Sequence, residues 1–91
     1  MEGGHPLFLH LGREIMIPIR DVIAICPLHP PGKAKDNDAF LQTAQEEGFL
    51  TDVAGGKPHS FVVTAEGVYL SSISSTTLAK RADKLRSQIP I

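Results

Sequence analysis

The stretch from Lys57 to Arg81 constrains the chain most. Phe61 to Thr64 and Val68 to Ser71 are two short β-prone runs, separated by Ala65-Glu66-Gly67 at hairpin spacing. A serine- and threonine-rich turn follows, in which Ser74 and Ser75 are candidate caps for a helix running to about Ser87, with Pro90 beyond it. On that helix Leu78, Ala82, Leu85 and Ile89 fall within about 60° of one another at roughly 100° per residue. Lys80, Arg81 and Lys84 occupy an adjacent arc of about 100°. Hairpin, turn and amphipathic helix are therefore expected in that order, with the helix apolar on one face and basic beside it.

The preceding residues supply the rest of a sheet. Leu7 to Leu11 reads as a first strand and Gly12-Arg13 as a tight turn. In Glu14 to Ile19, Ile15, Ile17 and Ile19 alternate with Glu14, Met16 and Pro18, the period of a half-buried strand. Pro18 cannot donate to a ladder, which makes this strand an edge or ends it there. Val22 to Cys26 is β-branched and apolar, the expected pattern of a central strand. Pro27 to Lys35 is a loop rich in proline. Asp36, Asn37 and Asp38 are candidate N-caps for a helix through Phe40, Leu41 and Ala44, closed by Gly48 as a C′ residue. Glu46 and Glu47 in its last turn oppose the helix dipole. Phe49 to Val53 reads as a short strand, and Gly55 to Ser60 as an exposed loop. Residues 1–6 are expected to be a loose end. The expected fold is a single small α+β domain over residues 1–91, mostly antiparallel sheet with two helices.

A chain of 91 residues that is 42% hydrophobic has room for one packed core. At this size roughly 60–65% of the unfolded surface is buried on folding, and self-association is a natural way to bury more. No basic start with a long apolar stretch marks a secretory signal, and no apolar run is long enough for a bilayer, so a cytoplasmic location is expected. Cys26 is the only cysteine and lies in an apolar run, where it reads as a small core residue. There is no tryptophan and one tyrosine, which argues against a base-stacking surface for single strands.

No residue set supports catalysis, and no cofactor is expected. His5, His10, His29 and His59 lack the spacing of a metal site. Asp36 and Asp38 resemble the start of a calcium loop whose later ligands are absent. Gly55-Gly56-Lys57 lacks the earlier glycine and the following Ser/Thr of a nucleotide phosphate loop. The serines include no nucleophile elbow. Ser72, Ser74, Ser75, Thr76 and Thr77 read as strand-exit and cap residues, whose hydroxyls could also meet a phosphate at the helix start.

Charge is distributed unevenly. The net charge is −1, but Met1 to Ser75 carries nine acids against five bases, while Thr76 onward carries four bases against one acid. Any anion-binding face should therefore include the last helix. Arg13, Arg20 and Lys57 lie at turns or strand ends, where a repeated subunit could display them along a rim. One subunit has few cations for duplex DNA, and an oligomer multiplies the same contact.

Four blocks of the sequence bear on family. They are Leu9-His10-Leu11-Gly12, Ile17 to Ile25, Ser60 to Thr64 and Val68 to Arg81. In that order they resemble the RemA/RemB family of small bacterial regulators of extracellular-matrix (biofilm) genes, and are most similar to its RemB branch. The resemblance implies a ring-shaped homo-oligomer that binds double-stranded DNA through basic residues. It places a DNA-contacting arginine at Arg20. A loop arginine pair falls on Lys57 and Pro58, of which only the first is charged here, and a further arginine falls on Ser60. The resulting expectation is a DNA-binding transcription regulator without enzymatic activity, contacting phosphates through Arg20, Lys57, Lys80, Arg81 and Lys84. The alternative is a ring-forming module that acts through a protein partner, such as a RemA-like subunit, without touching DNA. Neither reading involves a membrane.

Overall fold

The computed structural model describes residues 7–32 and 34–89. The expectations for the N-terminal end, His5, Lys33 and Pro90 lie outside the described residues. Nine elements follow in order: β1 (Phe8–Gly12), β2 (Ile15–Pro18), a 3₁₀ turn (Ile19–Asp21), β3 (Val22–Pro27), α1 (Ala34–Glu46), β4 (Leu50–Asp52), β5 (Ser60–Thr64), β6 (Gly67–Ser71) and α2 (Ser75–Arg86). The small α+β architecture, with two helices and mostly antiparallel pairing, is the one the sequence leads one to expect.

β1 and β2 form a two-stranded antiparallel sheet, joined through Gly12 (φ 125°) and Arg13 (φ 50°). The remaining strands form a sheet in the order β3-β5-β6-β4, antiparallel except for β4 on β6. The expected hairpin is β5 and β6. Its turn is held by Thr64, whose Oγ1 accepts from the Glu66 and Gly67 amides at 3.2 and 3.1 Å. What demands glycine at position 67 is space, because a Cβ there would stand 2.8 Å from the Phe49 carbonyl oxygen.

Side-chain alternation splits the core into two layers. Ile25, Val62 and Tyr69 stand in register and pack with Leu9, Leu11, Ile17, Ile19, Leu78 and Ala82, beneath α2 and the β1–β2 hairpin. Cys26, Phe61 and Leu70, the next register row, face the other way toward Leu28, Leu41 and Ala44, beneath α1. The central sheet thus separates α1 on one side from α2 and the small hairpin on the other.

Two expectations need correction. β3 is not central: it pairs with β5 alone and forms an edge of the sheet. Ile25 and Cys26 pack into opposite layers, but Ile23 is 66% exposed, so the apolar run of this edge strand is covered only in part. α1 begins at Ala34, so Asp36, Asn37 and Asp38 lie within the helix and not at its cap. Asp36 there suits the positive end of the dipole, and the Asn37 side-chain amide donates to the Pro27 carbonyl at 3.3 Å. β2 stops at Pro18, one of the two outcomes expected from its missing amide, and Ile19 enters the core from the 3₁₀ turn.

The C-terminal end of α1 is as expected. Gly48 (φ 81°) donates to Gln45 at 3.1 Å and Phe49 to Ala44 at 2.8 Å, the paired bonds of a Schellman motif.

Candidate nucleic-acid interface

Two buried serines fix where α2 sits. Ser60 and Ser71 are wholly buried. Ser71 Oγ donates to the Leu11 carbonyl at 2.6 Å and accepts from the Ile73 amide at 3.1 Å, while Ser60 Oγ donates to the Ile73 carbonyl at 2.7 Å. The segment entering α2 is thereby tied to β1, β5 and β6. Ser74 then caps the helix, its hydroxyl accepting from the Thr77 amide at 3.2 Å and lying 3.0 Å from the Thr77 hydroxyl. Leu78 and Ala82 are buried, and Leu85 is partly covered. Lys80, Arg81 and Lys84 are therefore exposed on a helix with a fixed orientation.

Arg20 is exposed in the middle of the 3₁₀ turn, between the buried Ile19 and the partly buried Asp21. That turn packs against α2. Arg20 therefore sits on a turn that adjoins the basic helix.

Lys57 is exposed in the loop between β4 and β5. Both ends of this loop are pinned. Val53 is buried and donates to Leu70 at 2.9 Å, the Asp52 carboxylate accepts from the Ala54 amide at 2.8 Å, and His59 donates to Ser71 at 2.8 Å. Gly55 and Gly56 take positive φ of 68° and 95°. A Cβ on Gly55 would meet the Arg13 guanidinium, which lies over the loop at that point. Arg13 thus joins the Lys57 loop, a neighbour the sequence does not reveal because the two lie in different strand connections. The signal that could have pointed to it is Gly55 itself, a residue whose missing side chain leaves room for the arginine.

The candidates accordingly fall into two groups, Arg20 with α2 and Lys57 with Arg13. Arg81 and Lys84 also rim a groove of about 460 Å³ between β1 and α2, floored by Phe8, Leu9 and Leu85. Lys80 is not part of that lining.

Other chemistry finds little support in the geometry. Among the described residues no three of His, Cys, Asp and Glu gather where a metal could be held. His10 Nε2 lies 2.7 Å from the Arg13 carbonyl oxygen. Cys26 is a free, partly buried thiol, and burial pushes its pKa up, away from the thiolate a nucleophile needs. Among the described residues no helix is long and apolar enough to cross a membrane.

The exposed cations on turns and one helix belong to a chain that is similar to known proteins. Residues 8–82 match the family model of RemA-like proteins, described as extracellular matrix regulatory protein A-like. The chain belongs to the RemA-like family. It is also 30% identical over 76 residues to extracellular matrix regulatory protein B of Bacillus subtilis (strain 168), covering 84% of this chain and 90% of that protein. Within the RemA-like family this places it near the B-type proteins. The matched span runs from β1 to the middle of α2, and so includes Arg20, Lys57, Lys80 and Arg81.

Proposed function

We propose that this RemA-like protein regulates extracellular-matrix genes from the cytoplasm as a homo-oligomer that holds duplex DNA by its phosphates. Membership of the family carries this reading, and the exposed placement of the cations supports it. Arg20 and Lys57 are the principal contacts, with Lys80, Arg81 and Lys84 extending the positive face. Contacts of this kind meet phosphates, which set affinity and orientation but read no bases. Ring closure of the oligomer would repeat a weak contact at fixed spacing and raise the affinity by effective concentration. No enzymatic step is part of this function.

A test is duplex binding by the folded double variant Arg20→Ala/Lys57→Ala. Weaker binding with a flatter salt dependence is expected, and wild-type affinity in that variant would remove the assignment. The second reading, regulation through a protein partner alone, draws on the exposed Phe40 of α1 and Phe49 just after it. Capture of one protein partner that resists salt, together with no DNA binding by wild type, would favour it.

A further inference from the structure

Three of the four phenylalanines face solvent, Phe8 at 44%, Phe40 at 44% and Phe49 at 54% exposure. Scattered exposed apolar residues are ordinary, but each of these three lines a groove beside charged residues. Phe40 and Phe49 flank a groove of about 310 Å³ beside α1, floored by Ala44 and Val68 and bordered by Glu47 and Glu66. Phe8 floors the groove on the other side of the molecule, bordered by Arg81 and Lys84.

The two grooves lie on opposite sides of the central sheet, one with α1 and one with α2. They are also opposite in charge. Glu46 and Glu47 stand at the C-terminal end of α1, where the helix dipole is already negative. In a single subunit that arrangement is unfavourable, and a neighbouring cation would relieve it. The basic groove offers two cations and a matching apolar floor.

The geometry points to a second copy of this chain as the occupant. The acidic groove of one subunit receives the basic groove of the next, with Glu47 and Glu66 facing Arg81 and Lys84 around a contact of Phe40 and Phe49 with Phe8. Because the surfaces differ, the contact is head-to-tail, and repetition generates a ring if the rotation closes or a filament if it does not. In the assembly Arg81 and Lys84 are neutralised by the neighbour, which leaves Lys80 with Arg20 and Lys57 for phosphates.

This contact rests on the assembly part of the function proposed above, and the two can fail separately. A wild type that assembles through the grooves yet ignores DNA keeps the contact and removes the DNA reading. A wild type that binds DNA as a monomer does the reverse.

The test is sedimentation velocity on two charge-reversed variants, Glu47→Lys/Glu66→Lys and Arg81→Glu/Lys84→Glu. Each should weaken self-association by at least about a hundred-fold, since like charges then face each other across the contact. Each variant keeps one native groove, so an equimolar mixture should recover association between unlike partners. Full assembly of either variant alone overturns the proposal, as does a mixture that stays monomeric. If a reversed variant loses its circular dichroism, the neutral Glu47→Gln/Glu66→Gln and Arg81→Gln/Lys84→Gln take its place. Each of these should weaken association by about ten-fold, and unchanged association overturns the proposal equally.

Discussion

Ser71 Oγ donates to the Leu11 carbonyl at 2.6 Å, joining β6 to β1 across 60 residues of chain inside the core. The same oxygen accepts from Ile73, so one hydroxyl links the small hairpin, the four-stranded sheet and the approach to α2. Ser71→Ala leaves a buried carbonyl and a buried amide without that partner. It should cost about 1–3 kcal/mol of unfolding free energy, read by urea denaturation. An unchanged urea midpoint would contradict the buried geometry.

Gly67 and Gly48 should both resist substitution, for different reasons. A Cβ at 67 collides with the Phe49 carbonyl oxygen, whereas at 48 there is open space and only the positive φ is costly. Gly67→Ala and Gly48→Ala should each lose roughly 1–3 kcal/mol, from overpacking in the first case and left-handed strain in the second. Asparagine tolerates the left-handed region, so Gly48→Asn should recover part of the loss while Gly67→Asn should not. Thermal unfolding of the four variants separates the two causes.

Capping of α2 is local and apart from the cations. Ser74→Ala should destabilise by about 1 kcal/mol through loss of the bond to the Thr77 amide. Duplex affinity measured well below the melting temperature should stay at the wild-type level. A large loss of affinity in folded protein would mean that the helix start itself meets DNA.

Cys26 should react slowly with a thiol reagent at neutral pH, because burial holds it protonated above its ordinary 9.0. The sign of its linkage follows. The unfolded thiol ionises first, so its contribution to stability is complete below 9.0 and is lost as pH rises through the folded value. Cys26→Ala should remove that alkaline loss, and denaturant midpoints on either side of 9.0 check it. Rapid labelling of native protein near pH 7 would contradict this account.

Much of the fold is legible in the sequence, because local rules and tertiary packing agree there. The β5–β6 hairpin, the Gly12-Arg13 turn, the Gly48 terminus and the Leu78, Ala82 and Leu85 face of α2 follow from spacing and turn chemistry. Ile89, placed on that face by the same spacing, lies beyond Arg86 and is exposed. β3 misleads because an apolar, β-branched composition is silent on how many neighbours a strand pairs with, and here Ile23 stays exposed. The start of α1 misleads because good capping residues also serve in a first turn, as Asp36 does. At the candidate site, exposure of Arg20, Lys57 and the α2 cations is legible, but their grouping is not. Arg13 comes to the Lys57 loop only through tertiary structure, and no period in the sequence relates Glu47 and Glu66 to the α2 cations.

Arg20 and Lys57 separate DNA binding from assembly. Each single alanine variant should weaken duplex binding and reduce the salt slope by about one phosphate for every subunit that contacts DNA. Neither should alter sedimentation, as neither lines a groove between subunits. Arg81→Glu/Lys84→Glu should instead alter sedimentation first. Were the α2 pair to weaken DNA binding with assembly intact, the division of roles drawn here would be reversed.

The most direct measurement is fluorescence anisotropy of a labelled duplex titrated with the wild-type protein at low and near-physiological salt. The account predicts tight binding at low salt that falls steeply as salt rises, with a slope larger than the few cations of one subunit could give. Absence of binding at low salt would contradict it.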